Sequence, residues 1–572
     1  MNKNAILAIL LTFAVIFSWG IIQSKFFQKP SDDPLKKEVM KEEVVSKEKR
    51  ETKPLKEEKT VSKPLKVHVK KETSIETKNY LAVFTSEDAR LKHFKLKNYE
   101  DRVEESSLTI SLLQFIKNLL GSKEEEPKKP APLDLVNMKE GEGLPLGLVF
   151  HPSSGTEGWE VDKEKLQLLN TGEKGEIIFS KRLDNGLIIL KKYVFVSGKN
   201  AIDLEIEIQN NTTKEIATQL GLEWIGKVEL EKFADEGNKD FGLKYSFLKN
   251  QKVERKDLGG AGASGCTPGC GSPKRKIDPF ESSDQGAIRW FAFEGEYFTT
   301  LLVPPSSEKN ISLNVKGDDK NILRANLTTS PISVPSEEAV KVVYRVYLGP
   351  KEIDTLKELG VGAEGLIDFG FFTIIAKPLL WFLKLTHSVT KNFGIDIIIL
   401  SILIKIIFLP LTQISFKSMK EMQKVQPEMN RLKEQYKNDK ARLQQEIMLL
   451  YKRRKINPMS GCLPMVIQIP VFIALYNALQ NTIEMRHAPF FLWIMDLSAK
   501  DPIYVTPIIM GATMVLQQKM TPTAADPAQA KLFMLMPIMF TFLFLSFPSG
   551  LVLYWLVTNV LSIAHQYYMN KN

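Results

Sequence analysis

Cysteine, histidine and catalytic motifs are scarce in this chain of 572 residues, which has only three cysteines and six histidines. No H-E-x-x-H, G-x-S-x-G or Walker A sequence occurs. Cys266 and Cys270 stand in the Gly-rich segment "GCTPGC", without the further Cys or His ligands that zinc requires. They form either a local disulfide or two free thiols. We expect no metal site, no cofactor and no enzymatic activity.

A G-x-G-x-x-G pattern at Gly260, Gly262 and Gly265 also lacks the context that would make it functional. The dinucleotide-binding fingerprint follows a strand and opens a helix. Here "NQKVERKDL" precedes the glycines and "CTPGCGSPKRK" follows them. We therefore interpret the pattern as a loop.

Aromatic residues are absent from residues 29–78, where Lys and Glu alternate between prolines. Such a segment cannot bury enough apolar surface to fold, so residues 29–79 are predicted to be a solvated tether. Its charges are mixed, whereas an arm that binds nucleic acid is more uniformly basic. A DNA partner is therefore not expected, although the net charge of the chain is +10.

Long hydrophobic runs occur at both ends of the chain. Residues 5–22 follow Lys3 and are long enough to cross a hydrocarbon core of about 30 Å. They are either a cleaved signal peptide or a retained anchor. The triplet Ser18-Trp19-Gly20 is a poor cleavage site because it contains a bulky Trp, so we favour an N-terminal anchor in residues 1–28.

Residues 80–350 have the pattern of a mainly antiparallel β-sandwich. "AIDLEIEIQNNT" and "AVKVVYRVYLG" alternate apolar and polar residues with a period of two. Asp184-Asn185-Gly186 stands between two strand-like runs, which predicts a hairpin. Residues 351–392 then connect this domain to a strongly apolar region, 393–572.

The connecting region ends in an amphipathic segment, and the apolar region contains several candidate membrane spans. Lys377, Lys384, Ser388 and Lys391 share one helical face, which favours a helix lying flat in the membrane interface. The candidate spans are 394–416, 459–480, 503–519, 531–547 and 550–568.

The charge distribution orients these spans. If 371–389 lies flat, the basic segment 417–457 faces the cytoplasm, as the positive-inside rule requires. The prediction is a polytopic α-helical membrane protein of six spans, with an extracytoplasmic β-sandwich and a cytoplasmic C-terminus.

The basic segment 417–457 is predicted to be a helical hairpin. Two apolar stripes can pack against each other as an antiparallel coiled coil, and "KNDK" supplies the turn. The stripes are Met422, Met429, Leu432 and Tyr436, and Leu443, Ile447, Leu450 and Tyr451. The other faces are basic, which is also typical of an ordinary positive-inside loop. The unusual length favours docking of lipid headgroups, ribosomal RNA or an acidic nascent chain.

Lys405 lies between apolar residues in the stretch "DIIILSILIKIIFLPLT". An ammonium at the centre of a span costs about 2.5–3.5 kcal/mol to insert. It either snorkels to the interface or faces a hydrated cavity. Asp396 is more than two helical turns away and a poor partner, so we favour the cavity.

Several segments of the last third resemble those of the YidC membrane protein insertase family. They are "HSVTKNFGIDIIILSILIKIIFLPLT", "NPMSGCLPMVIQIPVFIALYNAL", "APFFLWIMDLSAKDPIYVTPIIMG", "QQKMTPT" and "FPSGLVLYWLVTN". They occur in order and with the expected spacing through Phe371–Lys571. The anchor, tether and β-domain resemble the Gram-negative form of the family, whose periplasmic domain is a β-supersandwich.

This resemblance implies a five-helix insertase core that encloses a hydrophilic groove, open to cytoplasm and lipid. Lys405 occupies the position of a groove cation that is Arg in most relatives, and Arg and Lys are not equivalent because Lys lacks the planar fork. Gln518 and Trp555 match other groove-lining positions, and Tyr554 is a further candidate. Ile469 and Pro470 fall where a passing substrate helix makes contact.

The resemblance also implies a function and a location. The chain would insert and fold hydrophobic segments of nascent proteins in the bacterial inner membrane, alone or with the Sec translocon. Segment 417–457 would contact the ribosome or a signal-recognition receptor. Two other hypotheses remain: an assembly chaperone or receptor acting through the β-domain, and a channel for small solutes. A passive anchor has no use for Lys405, and a channel would conduct ions in vesicles.

Overall fold

The computed structural model describes residues 71–104, 109–111, 129–139, 141–151, 158–230, 240, 242, 244–258, 276–454, 463–520 and 527–571. The predicted anchor, most of the tether, Cys266, Cys270 and the three loop glycines lie outside these residues. The described chain forms a sheet domain followed by a group of apolar helices.

The sheet domain contains twenty strands among the described residues. The first ten are β1 (Glu72–Thr77), β2 (Tyr80–Thr85), β3 (Arg90–Glu100), β4 (Pro132–Asp134), β5 (Gly147–His151), β6 (Glu160–Val161), β7 (Lys165–Leu168), β8 (Lys174–Arg182), β9 (Leu187–Val196) and β10 (Ala201–Asn210). The second ten are β11 (Ile216–Lys227), β12 (Lys244–Lys249), β13 (Lys252–Asp257), β14 (Phe280–Gly286), β15 (Ile288–Glu294), β16 (Phe298–Val303), β17 (Ile311–Gly317), β18 (Ile322–Thr328), β19 (Ile332–Val334) and β20 (Ala339–Pro350).

These strands form three sheets around one hydrophobic core. A nine-stranded sheet has the order β13-β12-β15-β16-β20-β10-β9-β8-β6, and a five-stranded sheet has the order β4-β3-β2-β1-β7. A six-stranded sheet has the order β14-β17-β18-β11-β19, with β5 also paired to β11. The described pairs are antiparallel except β1 with β7. One cluster of buried side chains draws on all three sheets, so they fold as one unit.

Local sequence patterns account for the central strands. Successive residues of β10 alternate between half-buried and buried, as a period of two requires. β8 and β9 form the predicted hairpin, in which Arg182 pairs with Ile188. Gly186 in the turn has φ +90°, a conformation that glycine adopts without steric cost. The alternating pattern and the hairpin are therefore confirmed.

Nine α-helices follow the strands within the described residues. They are α1 (Ile353–Glu358), α2 (Thr373–Thr390), α3 (Phe393–Ile407), α4 (Leu409–Gln435), α5 (Lys440–Arg454), α6 (Leu463–Gln480), α7 (Val505–Met520), α8 (Pro527–Phe544) and α9 (Ser549–Lys571). Short 3₁₀ turns lie at Ala363–Leu366 and Ile483–Met485.

No single helix of the described residues has both the length and the apolar composition needed to cross a membrane. The pair α3 and α4 meets that test only jointly, with a bend of 60° between the two helices. The candidate span 394–416 was expected to be continuous, and the structure corrects this. α3 ends at Ile407, and Pro410 opens α4, because proline is tolerated in the first turn of a helix.

The basic segment folds as a helical hairpin of α4 and α5. The turn between the helices falls at residues 436–439, as "KNDK" indicates. Buried contacts join the helices through Val425, Met429 and Leu450, with Leu432, Ile447 and Tyr451 packed beside them. Met422, Tyr436 and Leu443 were also expected at this contact, but they are not part of the buried cluster, to which Val425 contributes instead.

α2 has two apolar faces rather than one. Ala376, Leu380 and Leu383 are buried against the other helices. Ile374 and Val389, at 87% and 83% exposure, lie on an exposed face together with Trp381. α2 therefore packs on the helical core with one face and presents a second apolar face outward.

Candidate functional site around Lys405

Lys405 lies in the last turn of α3, immediately before the bend into α4. Its position was expected to be near the middle of a span, and the broken helix corrects that expectation. The C-terminal end of a helix carries partial negative charge, so this turn is a favourable place for a cation. The backbone geometry thus offsets part of the cost of placing an ammonium among apolar residues.

The side chain of Lys405 is directed at α9. Its Nζ donates to Ser562 Oγ at 2.7 Å, and no carboxylate of the described residues forms an ion pair with it. Ser562 Oγ donates in turn to the Thr558 carbonyl at 2.7 Å. Because that bond occupies the serine proton, a lone pair of Ser562 is free to accept from the ammonium.

A polar stripe runs along the second half of α9. Thr558 donates to the Tyr554 carbonyl, and Asn559 donates to Thr513 Oγ1 of α7 at 3.4 Å. Thr558, Ser562 and His565 follow each other at spacings of four and three, which places them on neighbouring turns of one side of the helix. The first half of the helix is apolar, so polarity increases toward Lys405.

Trp555 and Tyr554, two of the predicted groove residues, occupy different surroundings. Trp555 lies seven residues before Ser562, on the same side of α9 and about 10.5 Å along the axis. Its ring contacts Phe472 of α6 edge-on at 5.1 Å and Phe544 of α8 at 5.2 Å. Tyr554 is fully buried where α9 packs against α3 and α6, and its hydroxyl accepts from Gln468 Nε2.

The remaining predicted positions lie on α6 and α7. Gln518 is half-buried near the end of α7. Ile469 of α6 is exposed, and Pro470 beside it is half-buried inside the helix. The two α6 residues therefore present an outward surface, separate from the buried Tyr554 contact.

Asp396 does not reach Lys405, as its position in the sequence indicates. It is fully buried at the corner between α2 and α3, where it accepts from Thr390 Oγ1 at 2.6 Å and contacts His387 Nδ1 at 2.9 Å. The His387 ring stacks on Phe393 with centroids 3.6 Å apart. Asp396 therefore fixes α2 against the start of α3.

The loop between α6 and α7 is bound directly to the sheet domain. Arg486 donates to both carboxylate oxygens of Asp240, at 2.8 and 2.6 Å, and to the Glu100 carbonyl at 2.7 Å. Its guanidinium lies 5.1 Å from the centroid of the Phe298 ring. The side chains of the ion pair are 4% and 6% exposed. This docking contact joins the sheet domain to the helices.

Ser562 and the docking contact were not predicted from the sequence, for different reasons. Ser562 belongs to a polar stripe at helical spacing, a pattern that was visible in the sequence. Arg486 and Asp240 are 246 residues apart, and no local pattern connects them. Only the folded chain brings them together.

Two family models together cover the sheet domain and the helices. Residues 72–382 match the model described as the YidC periplasmic domain, and residues 385–572 match that of the 60Kd inner membrane protein. The fold and these matches define the class as inner membrane proteins with a large, mostly β-sheet periplasmic domain. The chain belongs to the YidC family, as its motifs indicate.

Relatives named membrane protein insertase YidC are similar over most of the chain. The one from Syntrophus aciditrophicus is 42% identical over 88% of this chain and 85% of its own length. The one from Geotalea uraniireducens is 37% identical over 100% and 99%. A crystal structure of an active YidC insertase with its first transmembrane domain resolved is 18% identical, covering 88% of this chain and 93% of its own, at a TM-score of 0.36.

Proposed function

We propose that this protein inserts hydrophobic segments of nascent membrane proteins into the lipid bilayer and assists their folding. The names of its relatives support this function. The structural observation that carries it is the half-buried Lys405 ammonium, which meets a hydroxyl of α9 and no described carboxylate. A cation placed among apolar helices without an acid is typical of a pathway for polar or charged groups.

The proposed topology has six spans, five of them in the helical core. The anchor takes the chain out of the cytoplasm, the sheet domain lies outside, and α2 lies flat on the outer surface. The exposed face of α2, with Ile374, Trp381 and Val389, suits contact with lipid. The hairpin of α4 and α5 and the C-terminus are then cytoplasmic, in the inner membrane of a bacterium.

The proposed mechanism requires no nucleotide and no metal. The basic hairpin first captures a hydrophobic segment from the cytoplasm. The short polar flank of the segment enters the groove, where Lys405 and the polar groups of α9 replace part of its hydration. Gln518, Trp555 and Tyr554 line or support this groove, and the apolar helix leaves past Ile469 and Pro470.

Transfer of the client's own apolar surface drives the reaction. Burial of apolar area contributes about 25 cal/mol per Å². The protein lowers the barrier because it shortens the low-dielectric path that the polar flank must cross. Partners consistent with this mechanism are the Sec translocon, and the ribosome or a signal-recognition receptor at residues 417–457.

Reconstitution of the purified protein alone tests the proposal. Liposomes that contain it should insert a short single-span client, measured by protease protection, and empty liposomes should not. Normal binding of clients without insertion would instead favour an assembly chaperone or receptor that acts through the sheet domain. Ion conductance without insertion would favour the channel hypothesis.

A further inference from the structure

His565 lies on α9 one turn beyond Ser562, the residue that accepts from Lys405. The centroid of its ring is 5.3 Å from that of Phe416 on α4. His565 therefore packs against the helix that follows the bend, whereas Lys405 lies on the helix before it. Lys420 of α4 is directed elsewhere, since its Nζ donates to the Met569 carbonyl at 2.7 Å.

Both ring nitrogens of His565 are buried and meet no hydrogen-bond partner among the described residues. An imidazole always carries at least one N–H, so a buried ring without a partner retains an unmet donor. Phenylalanine would fill the same space against Phe416 without that cost. Packing alone therefore does not account for a histidine at this position.

The proximity of position 565 to Lys405 accounts for the presence of a histidine there. Residues three apart on a helix are neighbours, so the ring of His565 and the hydroxyl of Ser562 are on adjacent turns. A carboxylate that reaches the Lys405 ammonium therefore enters the neighbourhood of a second potential donor.

We propose that His565 is a specificity-determining residue of the groove, which together with Lys405 receives acidic side chains in the translocated flank of a client. The assignment rests on the proposed insertase function. Lys405 supplies the charge, and His565 supplies a second donor that forms its bond when a carboxylate arrives. A neutral flank makes no use of that donor.

The test compares His565→Phe and His565→Lys in liposomes, with two clients that differ only in Asp or Asn in the translocated flank. His565→Phe should lower insertion of the Asp client about tenfold, the low end of the effect of losing one hydrogen bond to a charged group. Insertion of the Asn client should change less than about twofold, within the effect of a neutral surface change. His565→Lys should restore the Asp client.

Tyr567→Phe is the matched control, because it removes a donor from an exposed side chain on the same turn of α9. It should leave both clients at the wild-type level. Equal losses for the Asp and Asn clients in His565→Phe would assign a packing role and overturn the proposal. Insertion of the Asp client at the wild-type level by His565→Phe would also overturn the proposal.

The Lys405→Leu variant separates failure of this inference from failure of the proposed function. If wild type inserts neither client, the insertase function itself is wrong, and the inference with it. If wild type inserts both and Lys405→Leu discriminates against Asp while His565→Phe does not, only the role of His565 is wrong.

Discussion

The proposed function depends most directly on one residue, Lys405. It lies in the last turn of a helix, donates to Ser562, and has no described acid beside it. The helix end and one hydroxyl stabilise the ammonium only in part. The remaining free-energy cost of removing the ammonium from water is explained if polar or acidic groups of clients bind to its charge during insertion.

Substitution of Lys405 should change insertion according to the charge of the client. Lys405→Arg should retain activity, because Arg keeps the charge and never deprotonates. Lys405→Leu should lower insertion of clients with acidic flanks about tenfold or more, because a hydrogen bond to a charged group is lost. Lys405→Glu should be worse for acidic flanks and milder for basic ones. Protease protection at matched protein levels measures each case.

The control is the set of clients with uncharged flanks, which should depend least on the substitution. Equal activity of the Leu, Glu and wild-type proteins for every client would make Lys405 a tolerated snorkelling residue.

At the scale of elements, the docking contact joins the α6–α7 loop to the sheet domain. Arg486 and Asp240 form a buried bidentate pair, a geometry that adds orientation as well as energy. Removing one partner of such a pair leaves an uncompensated buried charge, which is more costly than removing both. This pair therefore fixes the loop between α6 and α7 against the sheet domain.

Single and double substitutions should separate this contact from simple packing. Arg486→Met should destabilise docking by about 3–5 kcal/mol because Asp240 is left buried and unpaired, and Asp240→Asn together with Arg486→Met should recover part of that loss. Limited proteolysis of the α6–α7 loop measures docking. Lys500→Met, at an exposed position in the same loop, is the control. A double variant as sensitive as Arg486→Met would contradict the pairing.

Docking should also weaken in acid through His487. Burial, followed by the Arg486 charge, lowers the pKa of His487 to about 3, from an ordinary value of 6.5. The undocked ring binds a proton below pH 6.5 and the docked ring does not until about pH 3. Docking is therefore fully stable above pH 6.5 and is lost progressively as the pH falls toward 3.

Spin labels on Lys252 of the sheet domain and Lys500 of the loop would measure this dependence as a distance distribution, because both side chains are exposed. His487→Gln should flatten the response. Burial raises the pKa of Asp496, which acts in the opposite direction, so the difference between wild type and His487→Gln isolates the histidine. A wild-type distribution that is unchanged between pH 7.5 and 5 would contradict the linkage.

At the scale of the whole molecule, the sheet domain contacts the helices more closely than a tether and one helix imply. α1 and the following turn bury Leu356, Ala363 and Leu366 against the nine-stranded sheet. Asn477 of α6 donates a hydrogen bond to the Phe369 carbonyl, and Asn481, the residue after α6, donates to the Asp368 carbonyl. The structural boundary between the two parts therefore falls near residue 367.

Deletion of residues 72–366 should leave basic insertion activity if the helices form the groove. Further removal of 371–389 should abolish activity, because α2 packs on the helical core and is fixed there by Asp396. Growth complementation and protease protection measure both variants. Complete loss on deletion of the sheet domain alone, with normal protein level, would favour the receptor hypothesis.

The proposed topology predicts opposite accessibility of two engineered cysteines. Asn438 lies in the turn between α4 and α5, and Ala499 lies exposed in the α6–α7 loop. In a background without native cysteines, an impermeant thiol reagent should label Ala499→Cys from outside intact cells and Asn438→Cys only after lysis. Labelling of Asn438→Cys from outside would contradict the six-span arrangement and the flat placement of α2.

Local patterns in the sequence determined the sheet character of residues 80–350, the hairpin at Gly186 and the helical hairpin of α4 and α5. These features depend on periodicity and turn residues, which act over a few positions. The motifs of the last third also determined the family. The predictions for Gln518, Trp555, Tyr554, Ile469 and Pro470 rest on that resemblance and await experiment.

Tertiary structure alone decided the break between α3 and α4, the partner of Lys405 and the contact of Arg486 with Asp240. The sequence of 394–416 gives no sign of a 60° bend, because a proline is compatible with the first turn of a new helix as well as with a kink in a continuous one. Ser562 reaches Lys405, and Asp240 reaches Arg486, only when helices and sheets far apart in the chain pack together. Their energies depend on burial and geometry, which arise in the folded molecule and which no short stretch of sequence encodes.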